Sequence, residues 1–171
     1  MRSIYKGRVI DLNLEEAHLP NGKTVQLEMV RHPGASAVVP MRDDGRVVMI
    51  RQYRHAAGGM IYEIPAGRLD PGEDPLDCAK RELAEEAGQL AAQWDRLGAV
   101  FTTPGFTDEK IYLFLARKLT AVAQALEHDE VIEVVEVPLQ EVITMIRQGE
   151  VIDGKTICGL MLAYFHIKGV T

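Results

Sequence analysis

Three glutamates, Glu82, Glu85 and Glu86, stand three and four residues apart, a spacing that gathers them on one face if the segment is helical. Asp74-Pro75 supplies a helix start, because an Asp side chain accepts orphan amide hydrogens and Pro suits the first turn. Gly88 supplies the stop. Between them Leu76, Ala79, Leu83 and Ala87 recur at helical spacing and form a stripe that faces a core. The acids therefore share a patch beside that stripe. At about 6 Å each like-charge pair costs roughly 0.7 kcal/mol in water-like dielectric, rising towards about 3 kcal/mol in a cleft of effective dielectric near 20. An ion pair such as Arg81 with Glu85 returns only about 0.3–0.5 kcal/mol. A divalent cation is the stronger remedy. Hard ions such as magnesium take oxygen ligands and keep waters and substrate phosphates, so the patch predicts metal-assisted phosphate chemistry. From three glutamates alone, a solvated acidic helix face is the plainer reading; the letters around them decide against it.

The stretch from Gly67 to Gln89, GRLDPGEDPLDCAKRELAEEAGQ, resembles the Nudix box: Gly67, five residues, Glu73, seven residues, Arg81-Glu82-Leu83, one residue, Glu85-Glu86, one residue, Gly88. Every invariant letter is matched, a coincidence expected about once in 10⁸ positions or more rarely at ordinary residue usage. Gln89 departs from the pattern, standing where the family usually places an aliphatic residue, so packing just past the helix stop is expected to differ. The resemblance implies that Glu82 and Glu86 ligate magnesium, or manganese in its place, together with the backbone carbonyl of Ala66. Glu85 becomes a further ligand or the general base. Glu73 and Arg81 are implied to support each other and fix the loop against the helix, with contact to the metal as the alternative for Glu73. The implied reaction is hydrolysis of the pyrophosphate bond of a nucleoside diphosphate derivative, with water as the nucleophile.

Three further stretches, RQYRHA at Arg51–Ala56, GMIYEIPAG before the box and TTPGFTDE at Thr102–Glu109, resemble the ADP-ribose pyrophosphatase branch of that family. Pro104 of the last lies sixteen residues after Gly88. This branch implies cleavage of ADP-ribose to AMP and ribose 5-phosphate, with GDP-mannose or another nucleotide sugar as the alternative. It also implies that Arg54 contacts the phosphates, that Thr103 and Glu109 line the ribose end, and that a loop acid serves catalysis. Glu130 is the closest match for that acid, with Glu127, Asp129 and Glu133 as alternatives. A homodimer to which residues 1–34 contribute contacts is implied too. A Nudix-fold protein that binds a nucleotide without cutting it is opposed by the intact Glu82, Glu85 and Glu86.

Gly149–Thr156, GEVIDGKT, matches the letters of a phosphate-binding loop. Its context is wrong, because such a loop follows a buried strand, whereas Leu139–Arg147 has helical spacing. A connecting turn is the better reading, with Lys155 outside the chemistry. His55, His128 and His166 show no metal-like spacing, and isolated histidines are usually surface or satisfied core residues.

These residues need a frame. The 171-residue chain, 47% hydrophobic and 26% charged, reads as a single domain spanning 1–171. Its net charge of −6 argues against binding to nucleic acid or anionic lipid. Cys78 and Cys158 have neither disulfide-framework nor zinc-site spacing, which fits a reducing cytoplasm. The start lacks a signal-peptide core, and the apolar stretch near Ile157–Ile167 is too short to span a bilayer. Alternation on both sides of Pro20-Asn21-Gly22 predicts an N-terminal hairpin over Val9–Val30. Ala35–Met41 and Arg46–Tyr53 around Asp43-Asp44-Gly45 predict a second. Strands are expected at Leu97–Phe101, Lys110–Ala116 and Val131–Val137, and helices at Leu139–Arg147 and Thr156–Ile167. The fold class is α+β, and the resemblance specifies a Nudix α/β/α sandwich with a mixed sheet.

Overall fold

A computed structural model describes residues 1–169; residues 170 and 171, the end of the expected domain, lie outside them. The chain runs β1 (Arg2–Lys6), β2 (Asp11–His18), β3 (Thr24–Arg31), β4 (Ala35–Met41), β5 (Arg46–Arg54), a 3-10 turn (His55–Ala57), β6 (Gly59–Glu63) and β7 (Ala66–Arg68). It continues through α1 (Pro75–Ala87), β8 (Gln89–Phe101), β9 (Lys110–Ala121), β10 (Ile132–Pro138), α2 (Leu139–Gln148) and α3 (Gly154–Lys168).

Strands β4, β5 and β9 are nearly continuous in apolar residues because both of their faces are covered. Along β4, Ala37, Val39 and Met41 enter one core while Val38 enters the other. Along β9, Leu113 and Leu115 alternate in the same way with Phe114 and Ala116. The first core takes Val142 and Met145 of α2 and Leu160 and Ala163 of α3. The second takes Ala79, Leu83 and Ala87 of α1, the stripe expected from the sequence. Helices on both faces of one sheet make an α/β/α sandwich.

The sheet order is β10-β5-β4-β9-β8, with β6 added to β5 and β7 to β4. The β4–β9 pair is parallel and the others are antiparallel, so the sheet is mixed. Parallel pairing of β4 with β9 requires a long crossover, and that crossover carries the Gly67–Gln89 stretch. Asp74 caps α1 by accepting from Leu76 N at 2.8 Å, and Pro75 opens the helix. At the other end Gly88 adopts φ 61°, and its amide reaches Ala84 O and Leu83 O.

The N-terminal hairpin forms as β2 and β3, and β1 adds a third strand on β2 that sequence alternation did not reveal. This small sheet is tied to the Thr102–Glu109 loop. Val30 N donates to Phe106 O at 2.7 Å, and Arg31 pairs with both Glu15 and Asp108. β8 begins at Gln89 rather than Leu97, because its first half is a half-exposed, Ala- and Gln-containing edge strand without strong apolar alternation. β6 and β7 are too short to leave a periodic signal.

Gln89, the departure from the box pattern, is buried, and its Oε1 has no hydrogen-bond partner. An unsatisfied buried polar group costs about 1–3 kcal/mol. Gln89→Leu is therefore expected to stabilise the protein, raising Tm by roughly 2–8 °C in thermal unfolding; a lower Tm would show that the amide is satisfied or that the site tolerates no branching.

Candidate active site

Arg81 organises the loop and the helix together. Its Nε and Nη2 donate to the two oxygens of Glu73 at 3.0 and 3.1 Å, and Nη2 also reaches Arg68 O at 3.1 Å. Its Nη1 spans Glu82 at 2.6 Å and Glu85 at 3.2 Å. Glu73 in turn accepts from Asp70 N at 2.9 Å. Hydrogen bonds from Arg81 and then from Asp70 hold the Glu73 carboxyl down at about 2. Both oxygens of Glu73 are thus engaged, in the contact with Arg81 that the resemblance implies.

Glu82 and Glu86 lie one turn apart on the buried side of α1, and the backbone of β7 passes over both. Ala66 N donates to Glu86 Oε2 at 2.8 Å. At Gly67 a Cβ would fall 1.8 Å from Glu82 Oε1, so any side chain there would occupy the space of the carboxylate. Burial pushes the Glu86 carboxyl up to about 8. The same desolvation raises Glu82, against the opposing charge of Arg81.

The chain after β9 crosses the C-terminal end of α1 and is pinned there. Ala125 N donates to Glu85 O at 3.0 Å, and Gln124 Nε2 donates to Glu86 O at 2.6 Å. This anchors the loop whose acids were the alternatives for catalysis. Glu127 and Glu130 border the cleft, and Glu130 accepts from Glu127 N at 2.8 Å. Asp129 instead pairs with Arg8 at 3.4 Å, and Glu133 with Arg51 at 2.9 Å.

These groups surround a cleft of about 1230 Å³ bordered by Ala66, Arg81, Glu82, Glu85, Glu86, Glu130, Arg54 and Glu109. Arg54 is held by buried Glu63 through two bonds of 2.7 and 2.9 Å. Glu109 accepts from Thr102 Oγ1 at 2.8 Å and has His32 Nε2 at 3.6 Å. Thr102, not Thr103, borders the cleft. Thr103 forms the turn, its carbonyl accepting from Phe106 N and Thr107 N at 3.1 Å.

Three residues that the sequence did not single out also border the cleft: Gln52, Glu63 and Lys155. Gln52 precedes Arg54 by two on β5 and so shares its face, a signal that was readable. Lys155 was set aside with the phosphate-loop letters. The segment is indeed a connector, running from the Gly149 cap of α2 into α3 behind the Asp153 cap, yet it delivers Lys155 to the site.

The donor set suits a hard cation: carboxylate oxygens of Glu82 and Glu86, both removed from water, beside a backbone segment that can offer a carbonyl. Among the described residues no three acids, histidines or cysteines already converge as a metal cage, and Arg81 Nη1 donates to both Glu82 and Glu85. Burial, then the charges of Glu73 and Glu82, push the Cys78 thiol up to about 12.

A carboxyl raised in the fold contributes stability below its unfolded value and loses it as pH rises through the folded value. For Glu86 that window ends at about 8. In chelator, Tm is expected to decline as pH rises from about 5 to about 8, and Glu86→Gln is expected to flatten that decline. An equal slope in the variant would contradict the burial of a chargeable Glu86.

Residues 30–159 match the NUDIX domain. An ADP-ribose pyrophosphatase of Bacillus subtilis is 43% identical over 167 residues, covering 96% of this chain and 89% of that one. A methanol dehydrogenase activator of Bacillus methanolicus is 42% identical, covering 90% and 84%. A GDP-mannose pyrophosphatase of Yersinia pestis is 36% identical, covering 80% and 73%. The crystal structure of an ADP compounds hydrolase superposes with a TM-score of 0.84 at 22% identity, over 98% of this chain and 91% of that chain. No described helix is long and apolar enough to cross a membrane. With Gly67, Arg81, Glu82, Glu85 and Glu86 of the box bordering one cleft and the domain match covering most of its length, the chain belongs to the Nudix family.

Proposed function

We propose that the protein hydrolyses the pyrophosphate bond of ADP-ribose to give AMP and ribose 5-phosphate. The observation that carries this is the pair of buried carboxylates, Glu82 and Glu86, in a cleft that also holds Arg54 and Glu130. The similarity to an ADP-ribose pyrophosphatase along nearly the whole chain supports it. Magnesium, with manganese as a substitute, would be held by Glu82, Glu86 and the Ala66 carbonyl, where it supplies Lewis-acid polarisation of phosphoryl oxygen and offsets negative charge. Arg54 grips the diphosphate, and Glu130 accepts the proton of the attacking water, with Glu85 as the second candidate base. The new bond joins water oxygen to phosphorus as the bond from phosphorus to the bridging oxygen breaks. Arg81 and Glu73 keep the loop and helix in register. Glu109, with Thr102 beside it and Thr103 in the adjoining turn, faces the ribose end.

GDP-mannose is the second reading, favoured by the 36% identical relative. Purified protein should be assayed against ADP-ribose, GDP-mannose, NADH, diadenosine polyphosphates and ATP, with and without magnesium. ADP-ribose is expected to turn over fastest, only with the cation, and to yield AMP. Absence of diphosphate cleavage from every substrate would overturn the enzyme reading. Glu82→Gln and Glu86→Gln are each expected to lower kcat by at least about 10²-fold, beyond the roughly 10–100-fold typical of losing an outer partner of a metal ligand.

We also propose that the single domain acts as a cytoplasmic homodimer joined through its N-terminal sheet. Ile4, Tyr5, Ile10 and Leu27 leave that sheet with exposed apolar surface, and Val9 reaches the cleft. Light scattering is expected to give twice the 19.0 kDa of the chain, and Leu27→Glu should shift the mass towards the monomer. A monomeric wild type would exclude this assembly.

A further inference from the structure

On the side of the cleft formed by β5, β6 and the start of α3, the almost fully enclosed Glu63 carries two cations. Arg54 uses Nε and Nη2 for it, at 2.7 and 2.9 Å. This leaves Nη1 without a protein acceptor among the described residues. Lys155 Nζ donates to the Glu63 Oε2 that Arg54 also uses, and to Asp153 Oδ2 at 3.0 Å. Asp153 is further engaged as the cap of α3, accepting from Thr156 N at 3.0 Å and Thr156 Oγ1 at 2.6 Å. Gln52, on the same face of β5 as Arg54, is only 6% exposed and its Oε1 has no partner, so this wall keeps polar groups unspent.

The charges of the wall decide what Lys155 does. Arg54 and Lys155 against Glu63 and Asp153 sum to neutrality. Without Lys155 the wall would be net negative, and the guanidinium facing the cleft would be opposed by the full charge of the carboxylate that holds it. Burial pushes the Glu63 carboxyl up, but hydrogen bonds from Arg54 and then the charge of Lys155 outweigh this and hold it below its ordinary value. Removing one partner of a buried ion pair leaves an uncompensated charge, which is the costly case.

We infer that Lys155 is a positioning residue for diphosphate binding: it neutralises Glu63, so that this carboxylate holds Arg54 rigidly without cancelling the charge that Arg54 presents to the cleft. The inference rests on reading the cleft as a diphosphate site. A salt bridge that merely docks α3 onto β6 makes a different prediction, since it would affect unfolding but not ligand affinity.

The test uses the full chain. Affinity for ADP-ribose is measured by calorimetry in chelator, where turnover stops, and kcat and KM are measured with magnesium. Lys155→Met is expected to weaken binding and raise KM by about tenfold or more, with a smaller change in kcat. Lys155→Arg, which keeps the charge, should stay within a few-fold of wild type. Adding Glu63→Gln to Lys155→Met restores neutrality, so the double variant should bind more tightly than Lys155→Met alone. Unchanged affinity in a folded Lys155→Met protein, or a double variant that is weaker still, would overturn the inference. Should Lys155→Met fail to fold, the double variant and Lys155→Arg, each measured against wild type, carry the comparison. If GDP-mannose proves to be the substrate, it replaces ADP-ribose in the same measurements. Wild-type turnover alone judges the diphosphate reading, and the variants judge Lys155.

Discussion

Two glutamates on the buried side of a helix, within van der Waals reach of a passing backbone, are the costly element around which the rest is arranged. Taking a carboxylate out of water is unfavourable unless something compensates its charge. Glu82 has one shared arginine nitrogen, and Glu86 has one backbone amide. That incomplete compensation raises both carboxyls and leaves the pair suited to a cation. The sandwich supports this cost with the stripe of Ala79, Leu83 and Ala87, which holds α1 against the sheet and fixes where the acids point.

The parallel pairing of β4 with β9 makes room for the crossover that contains the site, and each end of α1 is then tied to a different partner. Ser36 Oγ on β4 donates to Pro75 O at 2.7 Å near the start. The Gln124–Ala125 segment caps the carbonyls of Glu85 and Glu86 near the end. The second tie brings Glu130 beside Glu85 and Glu86, although it lies more than forty residues further along the chain. Arg81 performs the equivalent service for the loop before the helix, so one guanidinium links Glu73, Arg68, Glu82 and Glu85.

Local features were the most legible. The capped helix, its apolar stripe and its acid cluster depend on spacing within one turn or two, and they appear where the sequence placed them. The main strands followed from apolar runs and the mixed sheet from the family resemblance, but β1, β6 and β7 followed from neither, since short strands are defined by what they pair with rather than by their own pattern. The same holds in the site. Only the fold shows that Glu127 and Glu130 border the cleft while Asp129 and Glu133 are engaged in ion pairs. Thr102 could be separated from Thr103 only by the course of the turn. Lys155 was hidden because its significance comes from Glu63, distant in sequence and on another element, and because its own motif pointed to a different fold.

The most direct test of the central claim is the proton count on cation binding. Manganese would be titrated into metal-free protein near pH 7 in buffers of different ionisation enthalpy. Because Glu86 is raised to about 8, it is largely protonated at that pH and must give up its proton to act as a ligand. Wild type should therefore release protons on binding the cation, and Glu86→Gln should bind it more weakly and release fewer. Cation binding without proton release would contradict a protonated Glu86, and cation affinity undiminished in the variant would contradict the assignment of the buried pair as the cation site.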